Sequence, residues 1–357
     1  MSRFFSSKYA ALEAYVPGEQ PRDQKYIKLN TNESPFPPSP KVTEYAAREA
    51  GRLQLYSDPE STQVTRAVAE HFGLSPRQVL LTNGSDEILN FAFMAFGDAE
   101  HPFLFPDITY GFYEVFADLN GIPYETIPLR EDWSIDYKAY CGAGKNIVIA
   151  NPNAPTGLSL PLCEIEEIVR TNPDHVVIVD EAYVDFGGES ALPLIEKYDN
   201  LLVTRTFSKS RSLAGARLGW GMGQESLMQD LNTIKYSTNP YNINRMTAAA
   251  GLAAMEENDY YLQNARTIMA TRDRTAQALR QLGFAVTDSR TNFLFVSADW
   301  ISGGDLYREL KARGILIRHW DKPRIGNWCR VTVGTDEEMD AFLAQVTQLR
   351  KEVLTNG

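Results

Sequence analysis

The 357-residue sequence predicts an α/β protein: a large domain with a mainly parallel sheet flanked by helices, plus a smaller α+β domain. Three observations lead there. Short apolar runs alternate with helical stretches, as expected of strands buried on both faces of a parallel sheet. A helical pattern with few breakers follows, from about Asn244 to Leu282. Beyond it come further short runs and a closing amphipathic helix, Met339 to Leu354. This order sets an N-terminal arm and linker at 1–40, the large domain at 41–245 and the small one at 246–357.

Each element has its own justification. ESPFPPSP, Glu33 to Pro40, carries four prolines in eight residues and must be extended. It links the arm to the main body. VLLT (Val79 to Thr82) passes through Asn83-Gly84 into a helix over Ser85 to Phe96. FLFP (Phe103 to Pro106) precedes a helix ending at Gly121, and NIVIA (Asn146 to Ala150) runs into the turn-rich NPNAPTG. VVIVD (Val176 to Asp180) ends in an acid, and LLVTRTF (Leu201 to Phe207) leads into SKSRSLAGARLG. Polar residues gather just past these strand ends, the edge of an open α/β sheet where ligands bind. Runs beginning at Phe293, Ile315 and Arg330 supply strands of the small domain.

Composition narrows the function. Lys plus Arg total 35 against 46 Asp plus Glu, a net charge of −11. This argues against nucleic acid and against an anionic membrane surface as partners. Three widely spaced cysteines imply no disulfide or zinc framework, and four histidines form no HExxH pair, so no metal is expected. No apolar run approaches the roughly 18 residues of a membrane span. The first residues lack a signal-peptide pattern, so a cytoplasmic setting is expected. Gly142-Ala-Gly144-Lys145-Asn146 fails as a phosphate loop, because Ala139 and Asn146 stand at key positions and the segment precedes a strand. No G-x-G-x-x-G follows an early strand, which leaves a nicotinamide site unsupported.

Three motifs carry chemistry. Lys209 lies just past a buried strand, among Thr206, Ser208 and Ser210, with Arg217 eight residues on. Most loop lysines are merely solvated. Here, however, hydroxyls and an arginine make a phosphate cradle, beside which a lysine can hold a phosphorylated aldehyde covalently. Asp180 ends a strand and Tyr183 follows it. A helix-capping acid and a core tyrosine are the plain reading. The functional one is an acid paired with the pyridine nitrogen of pyridoxal 5'-phosphate, which keeps that ring an electron acceptor. Asn153 and Tyr183 would then bond the ring's phenolic oxygen. TNGSDE enters a helix whose N-terminal N–H groups at Gly84, Ser85 and Asp86 suit a phosphate, with Asp86 acting through its backbone.

With these residues in place, the chain resembles the fold-type I, class I/II pyridoxal-phosphate aminotransferases, most closely those that act on histidinol phosphate. The matching stretches are LNTNESPFPPSP, YSDPEST, LTNGSDEIL, PDITYGFY, NPNAPTG, VDEAYVDF, TRTFSKSRSLAGARLGW, TNFLFV, GILIRHWDKPRI and RVTVGTDEE. They run in family order from about residue 29 to 338. The resemblance implies that Lys209 carries the cofactor and moves the proton, that Asp180 pairs with the ring nitrogen, and that Tyr110 stacks on the ring. It implies Ser85, Thr206, Ser208 and Arg217 as phosphate ligands. Tyr56 would reach the cofactor phosphate of a neighbouring subunit in a homodimer with shared active sites. Arg318 and Arg330 would bind the substrate's anionic end, and Tyr15 and Asn32 would line its pocket.

The reaction implied moves the amino group of histidinol phosphate, a phosphorylated amine, to the 2-oxo acid 2-oxoglutarate, in histidine biosynthesis. An aromatic or broad-range aminotransferase and a threonine-phosphate decarboxylase stay open as alternatives. His319 and Trp320 after Arg318, with Arg324 nearby, depart from the pattern and bear on substrate preference. A cofactor-sensing transcription regulator of the same fold is not expected, because about 30 residues precede LNTNESP and the charge is acidic.

Overall fold

Ile147 and Ile149 enter one apolar core, while Val148 and Ala150 enter another. Val177 and Val179 likewise part from Ile178, and Leu201 and Val203 from Leu202. Successive strand residues face opposite sides, so such strands need helices over both faces. The computed structural model, which describes residues 2–10 and 12–356, meets that need.

An arm strand β1 (Ile27–Lys28) comes first, then helices α1 (Pro40–Ala50) and α2 (Thr62–Phe72). Next are β2 (Val79–Thr82), α3 (Ser85–Phe96), β3 (Phe103–Pro106), α4 (Phe112–Asn120) and β4 (Tyr124–Ile127). They are followed by β5 (Asn146–Ala150), α5 (Leu162–Thr171), β6 (Val177–Asp180), β7 (Leu201–Thr206) and β8 (Gly219–Met222). Helices α6 (Glu225–Thr238), α7 (Arg245–Glu256) and α8 (Asn258–Gln281) lead to β9 (Phe284–Val286) and β10 (Phe293–Ala298). The chain closes with α9 (Gly303–Ala312), β11 (Ile315–Leu316), β12 (Arg318–His319), β13 (Cys329–Thr332) and α10 (Asp336–Asn356).

Seven strands form one sheet in the order β2-β8-β7-β6-β5-β3-β4. All neighbours pair parallel except β8, which runs antiparallel to both β2 and β7. Residues of α2, α5 and α7 pack into the core on one face, and those of α3, α4 and α6 into the core on the other. A second, antiparallel sheet, β12-β13-β10-β9, shares a core with α8, α9 and α10. The arm strand β1 pairs parallel with β11, so residues 27–28 are tied to this smaller unit. Helix α7 packs on α1 and α2, on the side of the large sheet. We therefore propose that the division between the two units falls within α8, after the expected position at 245/246.

Strand β8 is the least legible element. Its sequence GWGM has neither alternation nor a branched run. It is buried throughout because its glycines admit α3. A Cβ on Gly219 would lie 2.4 Å from the Ser85 backbone nitrogen, and one on Gly221 would lie 2.9 Å from Ile88. This close approach sets the start of α3 against the sheet edge. Gly219→Ala must push that helix start outward, with an expected cost of about 1–3 kcal/mol, as for other overpacked sites. Urea unfolding measures the cost. Unchanged stability would show that the sheet edge yields freely.

Candidate active site

A cavity of about 400 Å³ opens past the carboxyl ends of β6 and β7. Lys209, Asp180, Tyr183, Tyr110, Ser85, Asp86, Thr206, Ser208 and Arg217 all line it. Residues far apart in sequence thus meet because parallel strands end on one edge. A larger groove, about 580 Å³, lies between α2 and α6. Its one lysine, Lys235, is spent on the Pro59 carbonyl, and no acid–tyrosine pair faces it.

Asp180 is the electrostatic centre of the cavity. Burial pushes its carboxyl from the usual 3.8 up to about 6, although the Tyr113 hydroxyl and Thr204 Oγ1 donate to it at 2.8 and 3.1 Å. Asp86 adds like-charge repulsion. Burial, with the Asp180 charge beside it, also holds the Tyr113 pKa well above the ordinary range, so its hydroxyl keeps its hydrogen for Asp180. A cation placed against Asp180 would relieve the cost of its ionisation.

At the other end, α3 begins at Gly84 with no side chain capping its first N–H groups. Gly84 has φ of 77°, and a Cβ there would lie 2.5 Å from Arg217 Nη2. Arg217 itself sits in the left-handed region at φ of 55°, a strain of about 1–3 kcal/mol for a side chain with a Cβ. That turn aims its guanidinium at the helix start, where it pairs with Asp86 at 2.9 Å. Thr206 Oγ1 accepts the Ser208 N–H at 3.0 Å, which folds both hydroxyl residues into the same corner. Free N–H groups, hydroxyls and an arginine together make an anion cradle.

Lys209 Nζ lies 5.8 Å from the centre of the Tyr183 ring. Tyr110 donates its hydroxyl to Asp86 at 2.7 Å. Asn153 is buried, and its amide hydrogens go to the Ile108 carbonyl and to Thr156 Oγ1, both at 3.0 Å. Its side chain therefore braces the loop and does not line the cavity.

The remaining expected residues fall in two places. Arg330 lies 5.3 Å from the Phe293 and Trp320 ring centres, and Arg318 lies 5.4 Å from Trp320. Arg330 Nε is buried without a hydrogen-bond partner. Neither arginine pairs with a carboxylate among the described residues. Arg318 donates instead to the Val16 and Pro17 carbonyls of the arm. Burial raises the Tyr15 pKa, against the pull of nearby Arg330 and Arg318, and its ring stacks on Phe112 at 4.2 Å. Asn32 donates to the Tyr183 hydroxyl at 2.9 Å. Tyr56 stands apart: the residue is 79% exposed and its ring stacks on Tyr241.

Sequence reasoning missed Gln20, Thr31 and Glu33, which line the cavity from the arm, and Tyr113 and Thr204, which hold Asp180. Tyr113 reads as one more apolar position of an amphipathic helix. Trp320 was singled out only as unusual, yet it lies against both arginines. His319 turns away to the Gly326 carbonyl, and Arg324 is tied to Asp107 and the Leu129 carbonyl across the two units. No cluster of His, Cys, Asp and Glu able to hold a metal occurs among the described residues.

The sequence model of the family "Aminotransferase class I and II" matches residues 24–346. The chain belongs to this family. Two similar aminotransferases are histidinol-phosphate aminotransferases. That of Brachyspira hyodysenteriae is 48% identical over 354 residues, covering 98% of this chain and 100% of the relative. That of Clostridium acetobutylicum is 46% identical over 349 residues, with 98% and 99% covered. Among solved structures, histidinol-phosphate aminotransferase from Sinorhizobium meliloti, in complex with pyridoxal-5'-phosphate, superposes with a TM-score of 0.89 at 25% identity, covering 99% of both chains. Aspartate aminotransferase from Thermotoga maritima shares the fold, with a TM-score of 0.78 at 23% identity over 91% of this chain and 92% of its own. This aminotransferase is therefore an α/β, fold-type I enzyme.

A pH test isolates Asp180. An acid whose folded pKa is raised holds its proton more tightly when folded. It contributes stability below the ordinary value near 3.8, and that contribution is lost as pH rises to about 6. Over some two units this amounts to about 3 kcal/mol. Urea unfolding of cofactor-free protein should show this loss between pH 4 and 6.5, and Asp180→Asn should lack it. Parallel pH profiles for the two proteins would mean that Asp180 ionises like a surface acid.

Proposed function

We propose that this aminotransferase uses pyridoxal 5'-phosphate to move the amino group of histidinol phosphate to 2-oxoglutarate, giving imidazole-acetol phosphate and glutamate for histidine biosynthesis in the cytoplasm. One observation carries the substrate reading. Two arginines, Arg318 and Arg330, lie against aromatic rings and donate to backbone carbonyls of the arm without a carboxylate partner among the described residues, and Arg330 keeps a buried donor without a partner. Their charge is left for an anion. A phosphate gains more from two guanidiniums than a carboxylate does, having more charge and more acceptor oxygens. The names of the full-length relatives support the same substrate. No helix among the described residues is long and apolar enough to cross a membrane.

The chain's own groups divide the work. Asp180 would hold a proton on the pyridine nitrogen, and that cation would in turn offset the cost of ionising a buried acid. The α3 N–H groups at Ser85 and Asp86, the hydroxyls of Thr206 and Ser208, and Arg217 would anchor the phosphate; Gly84 leaves room for Arg217. Tyr110 would cover the ring, and Tyr183 would donate to its phenolic oxygen. When bound, pyridoxal phosphate supplies an electron-accepting ring and an aldehyde carbon able to carry an amino group between substrates. Lys209 would hold that carbon and move the proton at the substrate's α-carbon. Tyr15 and Asn32 close the pocket from the arm side.

Steady-state kinetics test the substrate. Histidinol phosphate should far exceed histidinol and phenylalanine in kcat/KM. Arg330→Met should cost about 2–5 kcal/mol in transition-state binding of histidinol phosphate, as for a truncated buried charge contact. Equal use of histidinol or phenylalanine would replace this reading with a broad aromatic aminotransferase. Carbon dioxide release from threonine phosphate would favour the decarboxylase.

We further infer a homodimer. Leu53, Leu55, Tyr56, Tyr236 and Tyr241 are exposed, and two of their rings stack. A second copy is the natural cover, because a two-fold interface lets each Tyr56 complete the other subunit's cradle. Mixing inactive Tyr56→Phe chains with inactive Lys209→Ala chains should restore up to about half the native activity per mixed dimer, since one of its two sites carries no lesion. A fully active monomer in sedimentation would refute the shared site.

A further inference from the structure

Asn32 sits where the arm, the small sheet and the cavity meet. It is buried, with φ of 55°. Its backbone N–H lies 2.9 Å from Thr332 Oγ1, and the same oxygen lies 3.0 Å from Asn32 Oδ1. Asn32 Nδ2 lies 2.9 Å from the Tyr183 hydroxyl, and Asn292 donates to the Asn32 carbonyl.

Counting hydrogens fixes the direction of each bond. A backbone N–H only donates, so Thr332 Oγ1 accepts from it. The threonine hydroxyl has one hydrogen, and Asn32 Oδ1 is the acceptor it meets. Turning the Asn32 amide over would present NH2 to that hydroxyl and strand its hydrogen in a buried place, which is costly. The amide is thus held with its carbonyl toward Thr332 and its NH2 toward Tyr183. The Tyr183 oxygen accepts, and its own hydrogen remains free to donate into the cavity.

We propose that Thr332 is a positioning residue: through Asn32 it fixes Tyr183 as a hydrogen-bond donor to the phenolic oxygen of the cofactor. The proposal rests on the pyridoxal-phosphate reading. A donor at an ionised oxygen favours the ionised form, so the bound chromophore should take up its proton at lower pH.

The test is a pH titration of the visible absorption of the cofactor-loaded enzyme. Thr332→Val removes the hydroxyl and frees the amide to turn, so that its carbonyl takes the Tyr183 hydrogen. The apparent pKa should rise by about one unit, a tenfold change, toward the value of Tyr183→Phe. Thr332→Ser should restore the wild-type value. Should Thr332→Val not fold, Asn32→Asp tolerates the left-handed backbone and presents only acceptors, so it should take the Tyr183 hydrogen and give the same rise. A wild-type titration in loaded Thr332→Val, or in Asn32→Asp, overturns the proposal even if stability falls, because a merely structural threonine would leave the chromophore alone. If wild-type enzyme holds no visible chromophore that borohydride abolishes, the cofactor reading falls and this proposal with it.

Discussion

Burying Asp180 at the end of β6 costs free energy that Tyr113 and Thr204 return only in part. A carboxylate in that position calls for a cation, and the surrounding architecture supplies a cavity in which one can lie. The requirement depends on the sheet. β6 is central, flanked by β5 and β7, with helices over both faces, so its last residue has no route to solvent except through the cavity. Tyr113 reaches Asp180 from α4 and Thr204 from the neighbouring strand, so two elements that look like plain core set the chemistry of a third.

The opposite end of the cavity, with its anion cradle, follows a different rule. There the backbone does most of the work, and side-chain identity matters where it permits close approach. Gly219 lets the α3 start lie on β8, Gly84 lets Arg217 lie on that start, and Arg217 takes a strained conformation to do so. The pairing of Arg217 with Asp86 keeps the guanidinium over the helix terminus. One end of the cavity thus favours a cation and the other an anion, about a single chain lysine. This polarity suits a zwitterionic aromatic phosphate.

The small unit and the arm complete the site from outside the large sheet. β1 pairs with β11, and Asn32 is gripped by Thr332 and Asn292 while it bonds Tyr183. Arg318 holds the arm carbonyls at 16 and 17, close to Tyr15. Arm, small sheet and cavity are therefore mechanically continuous. Trp320 and Phe293 give the arginines a surface to lie on without neutralising them, which preserves their pull on an anion.

Apolar runs that must be covered on both faces were enough to reveal a parallel sheet, and local motifs were enough to place Lys209, Asp180, Ser85 and Arg217 at its ligand-binding edge. These features are local: each depends on a few adjacent residues whose chemistry is visible in the chain. Strand β8 was hidden because GWGM is buried for the sake of close packing against α3, a reason found in another part of the chain. Tyr113, Thr204 and Thr332 were hidden because a hydroxyl on a helix or strand looks the same whether it faces its own core or a carboxylate from elsewhere. Asn153 shows the converse: a polar residue in a telling motif can spend its hydrogens on its own loop and a neighbouring one, at Thr156 and the Ile108 carbonyl. The sequence by itself determined the fold class and the kinds of group at the site. Tertiary structure alone decided which of those groups meet and which way each hydrogen points, because such contacts join residues as far apart as Asn32 and Thr332 and arise only once the two units are packed together.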